Sequence, residues 1–327
     1  MSAIIPVYNA ESYIEDKLES LLAQNYPKDK LQIIVTSDCS DDGSDGILES
    51  YAQRFPSIEF HRMDSRSGKP TLVNFMAEKA KGEILLMTDI RQPLVPDALR
   101  ELVIRLADPN VGAVSGNLVL HGNEGVGFYW KYENKIREAE GRFRSMIGVT
   151  GPIYAIRKND LEAVPEDMIL DDMWIPMSLR LKGQRIVFAK EAIATDDTFG
   201  DEREFGRKVR TLAGNYQLFA NLSDLLSPFK NPSWFETFSH KICRLLCPWA
   251  LLGLFVFSLL GSFSGGGVFS KSFCSLSFAG ICIFLALSLF GPKAGALGRI
   301  ARTFMVLNWA AVVGLSRFLK SSQKVTW

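Results

Sequence analysis

The first 120 residues alternate short apolar, β-branched runs with amphipathic stretches, a pattern that few architectures accommodate. "AIIPV" precedes residues 11–24, "LQIIVTS" precedes 46–55, "IEFHR" precedes 69–80, "EILLMTD" precedes 96–106, and "VGAVSGNLVL" closes the series. Strands separated by helices of about ten or more residues need crossover connections, which build a largely parallel sheet covered on both faces. The expected fold class is therefore α/β with a Rossmann-like, mostly parallel sheet. Ligands of such sheets gather beyond the carboxyl ends of the strands. Tyr8 with Asn9, then Asp38, then Asp89 stand at three of those ends.

After Leu120 the pattern changes. Residues 128–145 read as a helix, "TGPIYAIR" as a turn entering a strand, and "ILDDMWIPMSLRLKG" as two carboxylates opening a helix that stops at Gly183. "QRIVFAKEAIATD" supplies strand material, and 202–226 read as an amphipathic helix with Arg203, Arg207 and Arg210 on one face. Residues 227–244 place Trp234, Phe235 and Phe238 beside His240, Lys241 and Arg244, a composition suited to a membrane interface. Three apolar runs follow within 245–327, at about 245–262, 273–290 and 300–318. A bilayer span takes about 20 apolar residues. Asn308 and Arg317 interrupt the third run, leaving open whether it spans or lies along the interface. The expected organisation is thus a soluble α/β domain over 1–226, an interfacial segment over 227–244 and a multi-pass membrane region from 245 onward.

Lys plus Arg number 37 against 36 for Asp plus Glu, so no nucleic-acid partner is expected. Four of the five cysteines, Cys243, Cys247, Cys274 and Cys282, sit in or beside the apolar runs without metal-site spacing. No secretory signal pattern opens the sequence, and a reduced, cytosol-facing catalytic part is expected.

The polar residues at the strand ends carry the chemistry. "CSDDGSDG" after Asp38 reads as turn and capping chemistry for Asp41, Asp42, Ser44 and Asp45. Asp38 itself can accept hydrogen bonds from a ring N–H or a ribose hydroxyl. Lys69 sits before a proline-started helix, where a helix N-terminus and a cation together attract phosphate. Asp89 ends a wholly apolar strand, and with Asp38 and Lys69 it outlines a nucleotide diphosphate site. Asp171 and Asp172 are adjacent carboxylates at an expected helix start, where they can serve the helix terminus electrostatically or, beside a dry cleft, supply a general base.

"IIPVYN", "SDCSDDGSDG", "SGKPTLVN", "TDIRQ", "TGPIYAIR", "LDDMWIPM" and "EFGRKVRTLAGNYQ" occur in an order and spacing that resembles membrane-associated family 2 glycosyltransferases of the GT-A fold, in the bacterial exopolysaccharide and envelope-glycan branch. The resemblance implies inverting transfer from a nucleotide diphosphate sugar, usually of uridine, to a lipid-linked or polysaccharide acceptor at the plasma membrane, with an oligomer or export partner to consider. It implies that Pro6, Tyr8 and Asp38 hold the nucleoside and that Lys69 lies near the diphosphate. Asp89 corresponds to the first aspartate of the family's DxD motif, which binds Mg2+ or Mn2+. Asp172, beside Asp171, corresponds to the catalytic base. Arg91 stands where the second motif carboxylate is expected: it could face the donor phosphates, face the acceptor, or turn outward and pair with a surface acid. "RKVR" answers the family's QxxRW only in its basic residues, giving Arg207 and Arg210 as diphosphate contacts. A membrane-anchored nucleotide-sugar binding or scaffold protein is the alternative reading.

Overall fold

The computed structural model describes residues 1–121, 124–197, 201–264 and 267–323, with side chains described outside 124–132 and 201–204. The chain forms two compact units: Met1–Phe199 together with Gln217–Thr237, and Gly200–Tyr216 together with Phe238–Gln323. The side chain of Arg203 and the last four residues of the expected membrane region lie outside the described residues.

In the first unit β1 (Ser2–Val7), α1 (Glu11–Leu22), β2 (Gln32–Ser37), α2 (Ser44–Arg54), β3 (Ile58–Arg62), α3 (Lys69–Lys79), β4 (Ile84–Met87) and α4 (Ala98–Leu106) follow the sequence pattern element by element. β5 (Val111–His121), α5 (Glu124–Phe143), β6 (Tyr154–Arg157), α6 (Asp171–Leu181) and β7 (Arg185–Asp197) complete it. The sheet runs β3-β2-β1-β4-β6-β5-β7. β1 pairs parallel with β2 and β4, β2 with β3, and β5 with β7, while β6 runs antiparallel to both β4 and β5. The expected α/β class with a mostly parallel sheet is what the chain adopts.

All six residues of β1 are buried, which is why its sequence shows no polar alternation. Ala3, Ile5 and Val7 pack on one face with Ile14, Leu18, Ile33 and Leu99, whereas Ile4 packs on the other with Ile34, Leu72, Met76 and Tyr154. The central strands are thereby fixed from both sides, and their carboxyl ends open onto a common edge. β5 shifts register against β7 between Ser115 and Asn117. A Cβ on Gly116 would lie 2.6 Å from the Ala192 carbonyl oxygen and 2.7 Å from Ile153 Cγ2. Only a residue without a side chain lets the strands approach there.

The second unit contains the first part of α7 (Asp201–Asn221), then, after the one-turn α8 (Trp234–Glu236) of the first unit, a π-helical stretch Thr237–Ile242 leading into α9 (Cys243–Phe263). α10 (Val268–Phe290) and α11 (Gly295–Leu319) follow, and α11 folds back along α10, with Phe284 and Phe304 in edge-to-face contact at 5.7 Å. Gly291 (φ 53°) and Gly295 (φ 67°) make that reversal, a left-handed conformation that costs glycine little. Two continuous helical runs, Trp234–Phe263 and Val268–Leu319, are long and apolar enough to cross a bilayer. Their side chains are widely exposed, Phe257, Phe263 and Phe269 among them. Asn308, inside the third apolar run, donates to the Phe304 carbonyl and so satisfies part of its amide within the helix.

Gly116→Ala is expected to lower stability by about 1–3 kcal/mol through overpacking, read as a lower melting midpoint of the detergent-purified protein. Gly46→Ala, in α2 with open space around its Cβ, is expected to leave the midpoint unchanged or raise it by an amount equivalent to roughly 0.5–1 kcal/mol.

Candidate active site

Each strand end contributes one polar group because the chain turns sharply as it leaves the sheet. Asn9 and Cys39, directly after the β1 and β2 ends, adopt φ of 45° and 61°. Asn9 locks the two turns together, its Nδ2 donating to Asp41 Oδ1 at 2.6 Å and its Oδ1 accepting from the Asp41 N–H at 3.1 Å. Asp42 accepts from the Ser44 and Glu11 N–H groups, and Asp45 pairs with Arg62 at 2.8 Å. Asp41 and Asp42 are therefore turn and helix-start residues, as the sequence suggests, whereas Asp45 instead ties α2 to the end of β3.

Asp38 is fully buried, and its carboxylate anchors the loop before α3. Oδ1 accepts from the Ser67 N–H at 2.7 Å, and Oδ2 accepts from the Gly68 N–H at 3.1 Å and from Arg66 Nε at 3.4 Å. Gly68 has φ 83°, which a side chain would strain. Arg66 also lies over the Tyr8 ring, 3.3 Å from its centroid, so it joins the β1 and β2 ends. Sequence reasoning did not single out Arg66, although it stands three residues before Lys69.

The loop delivers Lys69 to the centre of the cluster. Its ammonium donates to Asp89 Oδ1 at 2.9 Å and lies 3.3 Å from Asp171 Oδ2. Burial alone would lower the Lys69 pKa, but the carboxylates of Asp171, Asp89 and Asp172 outweigh it and hold the value well above that of an ordinary lysine. The Asp89 side chain is 34% exposed and so open to the crevice, whereas Asp171 is buried and Asp172 half-buried at the start of α6. Gly151 abuts Asp172: a Cβ there would lie 3.1 Å from Oδ2. Beneath the cluster Tyr154 is 1% exposed, and burial together with Asp171, Asp172 and Asp89 pushes its pKa well above the usual phenol value.

Arg91 is engaged by an acid that the sequence did not identify. Its Nη2 pairs with Asp196 Oδ2 near the end of β7, and Gln92 Nε2 donates to the same oxygen at 2.7 Å. Lys17 also escaped notice. It is fully buried on α1 and donates to Thr88 Oγ1 and to the Gln92 carbonyl, both at 2.6 Å. Burial pulls its pKa down to about 7, against the opposing charge of Asp89. A signal existed: a lysine three residues after Ile14 and four before Leu21 sits on the apolar face of its helix. Arg207 and Arg210 lie on α7 in the second unit, one on each side of the buried Val209.

The site thus places three carboxylates round one ammonium, with a backbone-held loop and a helix N-terminus beside them. Among the described residues no group of three or more His, Cys, Asp or Glu side chains is arranged to hold a metal ion. Asp89, its side chain 34% exposed, presents a carboxylate to the crevice while its Oδ1 accepts from Lys69.

Residues 2–164 match the family model described as glycosyl transferase family 2. The chain is 32% identical over 101 residues to the poly(ribitol-phosphate) β-N-acetylglucosaminyltransferase TarS of Staphylococcus aureus, covering 31% of this chain and 18% of that protein. It is 26% identical over 190 residues to the β-monoglucosyldiacylglycerol synthase of a Synechocystis species, covering 54% and 40%. The matches span less than half the length of these relatives. Among solved structures, the mannosyltransferase PcManGT of Pyrobaculum calidifontis superposes with a TM-score of 0.76 at 24% identity, covering 98% of this chain and 87% of that one. Residues 2–164 thus form a glycosyl transferase family 2 domain, and the sheet they help to build has the GT-A fold.

Proposed function

We propose that this chain is a membrane-bound, inverting glycosyltransferase that moves a sugar from a nucleotide diphosphate sugar, with uridine as the first nucleoside to test, onto a membrane-associated acceptor or growing polysaccharide. The observation that carries the reading is the Lys69 cluster, in which one ammonium holds Asp89 from β4 and Asp171 from α6. In this reading Asp89 serves the donor side of the crevice and Asp172, next to Asp171, the acceptor side. Relatives named for N-acetylglucosaminyl transfer to poly(ribitol-phosphate) and for monoglucosyldiacylglycerol synthesis support an envelope acceptor. The two apolar helical runs support anchoring. We assign the catalytic part to residues 1–226 on the cytoplasmic side of the plasma membrane, with 227–244 along the interface and the membrane region from 245 onward.

In this reading Tyr8, with the buried Pro6 and Asp38 behind it, forms the nucleoside pocket, and Lys69 faces the diphosphate. Asp172 accepts the proton of an acceptor hydroxyl as that oxygen attacks the anomeric carbon and the bond to the diphosphate breaks. Attack from the face opposite the leaving group inverts the anomeric centre. Asp171 keeps the Lys69 ammonium beside the site, where positive charge stabilises the departing diphosphate.

A divalent cation fits Asp89, because a carboxylate oxygen open to the crevice is the hard donor that Mg2+ or Mn2+ takes, alongside water and phosphate oxygens. The mannosyltransferase of similar fold is described in complex with GDP-Man and Mn2+, which supports that assignment. When bound, the ion supplies charge neutralisation at the diphosphate. Arg91, occupied by Asp196, fastens the loop after Asp89 to β7.

A nucleotide-sugar panel on purified protein, read as nucleotide release, tests the reading directly. Asp172→Asn is expected to reduce turnover at least 100-fold, the scale of a lost general base, while UDP affinity and melting midpoint stay close to wild type. Wild-type protein that binds UDP but turns over no donor would favour the scaffold reading instead. Chelation is expected to suppress turnover and added Mn2+ or Mg2+ to restore it, with Asp89→Asn moving the metal titration midpoint upward by about tenfold; an unmoved midpoint would remove the ion from Asp89.

A further inference from the structure

Lys17 is costly to keep where it is. Its ammonium is fully buried, and it forms no ion pair among the described residues. The rest of the core face of α1 is Ile14, Leu18 and Leu21, so an apolar side chain of similar length would fill the space without desolvating a charge. A buried amine without a salt bridge asks for an explanation in terms of what its hydrogen bonds hold.

It holds both ends of the turn that carries Asp89. Nζ donates to Thr88 Oγ1 and to the Gln92 carbonyl, the residues flanking Asp89, Ile90 and Arg91. The Thr88 hydroxyl, having accepted from Lys17, donates onward to the Pro152 carbonyl at 2.7 Å. Pro152 lies in the tight turn closed by the Ile153 N–H on the Thr150 carbonyl at 2.9 Å. Gly151 of that turn is the residue pressed against the Asp172 carboxylate. A second branch runs through Gln92, whose side chain joins Arg91 on Asp196. One ammonium therefore connects the loop of Asp89 to the turn against which Asp172 rests.

We infer that Lys17 is a positioning residue that sets the placement of Asp89 relative to Asp172 through the Thr88–Pro152 link. The inference rests on the transfer reading, in which these two carboxylates serve the donor and the acceptor. Misplacement of reacting groups by about 1 Å costs on the order of 100-fold in rate. Ground-state donor binding depends instead on Tyr8, Asp38 and Lys69, which Lys17 does not touch.

The test is a double-mutant cycle on the purified full-length protein, with the donor that the wild type turns over. Lys17→Met and Thr88→Val are each expected to lower kcat by about 10- to 100-fold, with the donor KM within about threefold and a cooperative melt retained. Because both cut one chain, the double variant is expected to be no more than about twofold worse than either single variant. Thr88→Ser, which keeps the hydroxyl, is expected to retain kcat within about twofold. Full kcat in a folded Lys17→Met, losses that multiply in the double variant, or a Thr88→Ser as impaired as Thr88→Val would each overturn the inference. Should Lys17→Met fail to fold, the Thr88→Val and Thr88→Ser pair decides it, with wild-type kcat in Thr88→Val overturning it. Absence of turnover by the wild type would remove the transfer reading and this inference with it, whereas an active wild type with an equally active Lys17→Met removes the inference alone.

Discussion

Carboxylates at Asp89, Asp171 and Asp172 repel one another in a partly dry crevice, where charge interactions are several times stronger than in bulk water. Lys69 makes their proximity tolerable by pairing with the first two at 2.9 and 3.3 Å. The placement of that one ammonium depends on the loop before it, and the loop depends on Asp38, whose buried oxygens take the N–H groups of Ser67 and Gly68. The electrostatics of the cluster are therefore set by backbone hydrogen bonds two strands away. A sheet buried on both faces supplies the rigidity this requires, since the β1, β2 and β4 ends that bring these groups together cannot shift without disturbing two cores.

Two lysines lie on opposite sides of Asp89. Lys69 approaches from the crevice, and Lys17 lies beneath it in the protein interior. Arg91, which the motif comparison placed at the missing second carboxylate, is instead tied to Asp196. The arginine then helps to hold the loop on which Asp89 sits.

The second unit follows a different physical logic. Its helices expose Phe257, Phe263, Phe269 and many other apolar side chains, which in water would be unfavourable, and which a bilayer accepts. Glycines at 291 and 295 permit α11 to return along α10, so the helices satisfy one another through close packing such as the Phe284–Phe304 contact.

Much of this was legible in the sequence. Burial on both faces gave "AIIPV" and "ILLM" their apolar composition, and the resulting α/β order, the strand-end positions of Asp38 and Asp89, and the turn role of Asp41 and Asp42 could be read from periodicity and turn chemistry alone. The apolar helices were equally visible. What periodicity cannot carry is the identity of partners distant along the chain. Lys69 meets Asp171 across about a hundred residues, Arg91 meets Asp196, and Lys17 meets Thr88 and Gln92, because the topology β3-β2-β1-β4-β6-β5-β7 interleaves segments that are far apart in order. The sequence by itself determined which elements form and which polar groups reach their ends, since both follow from local burial patterns. Only the tertiary structure decided which charge faces which, because ion pairing and desolvation depend on distances that exist only once the sheet has closed the crevice.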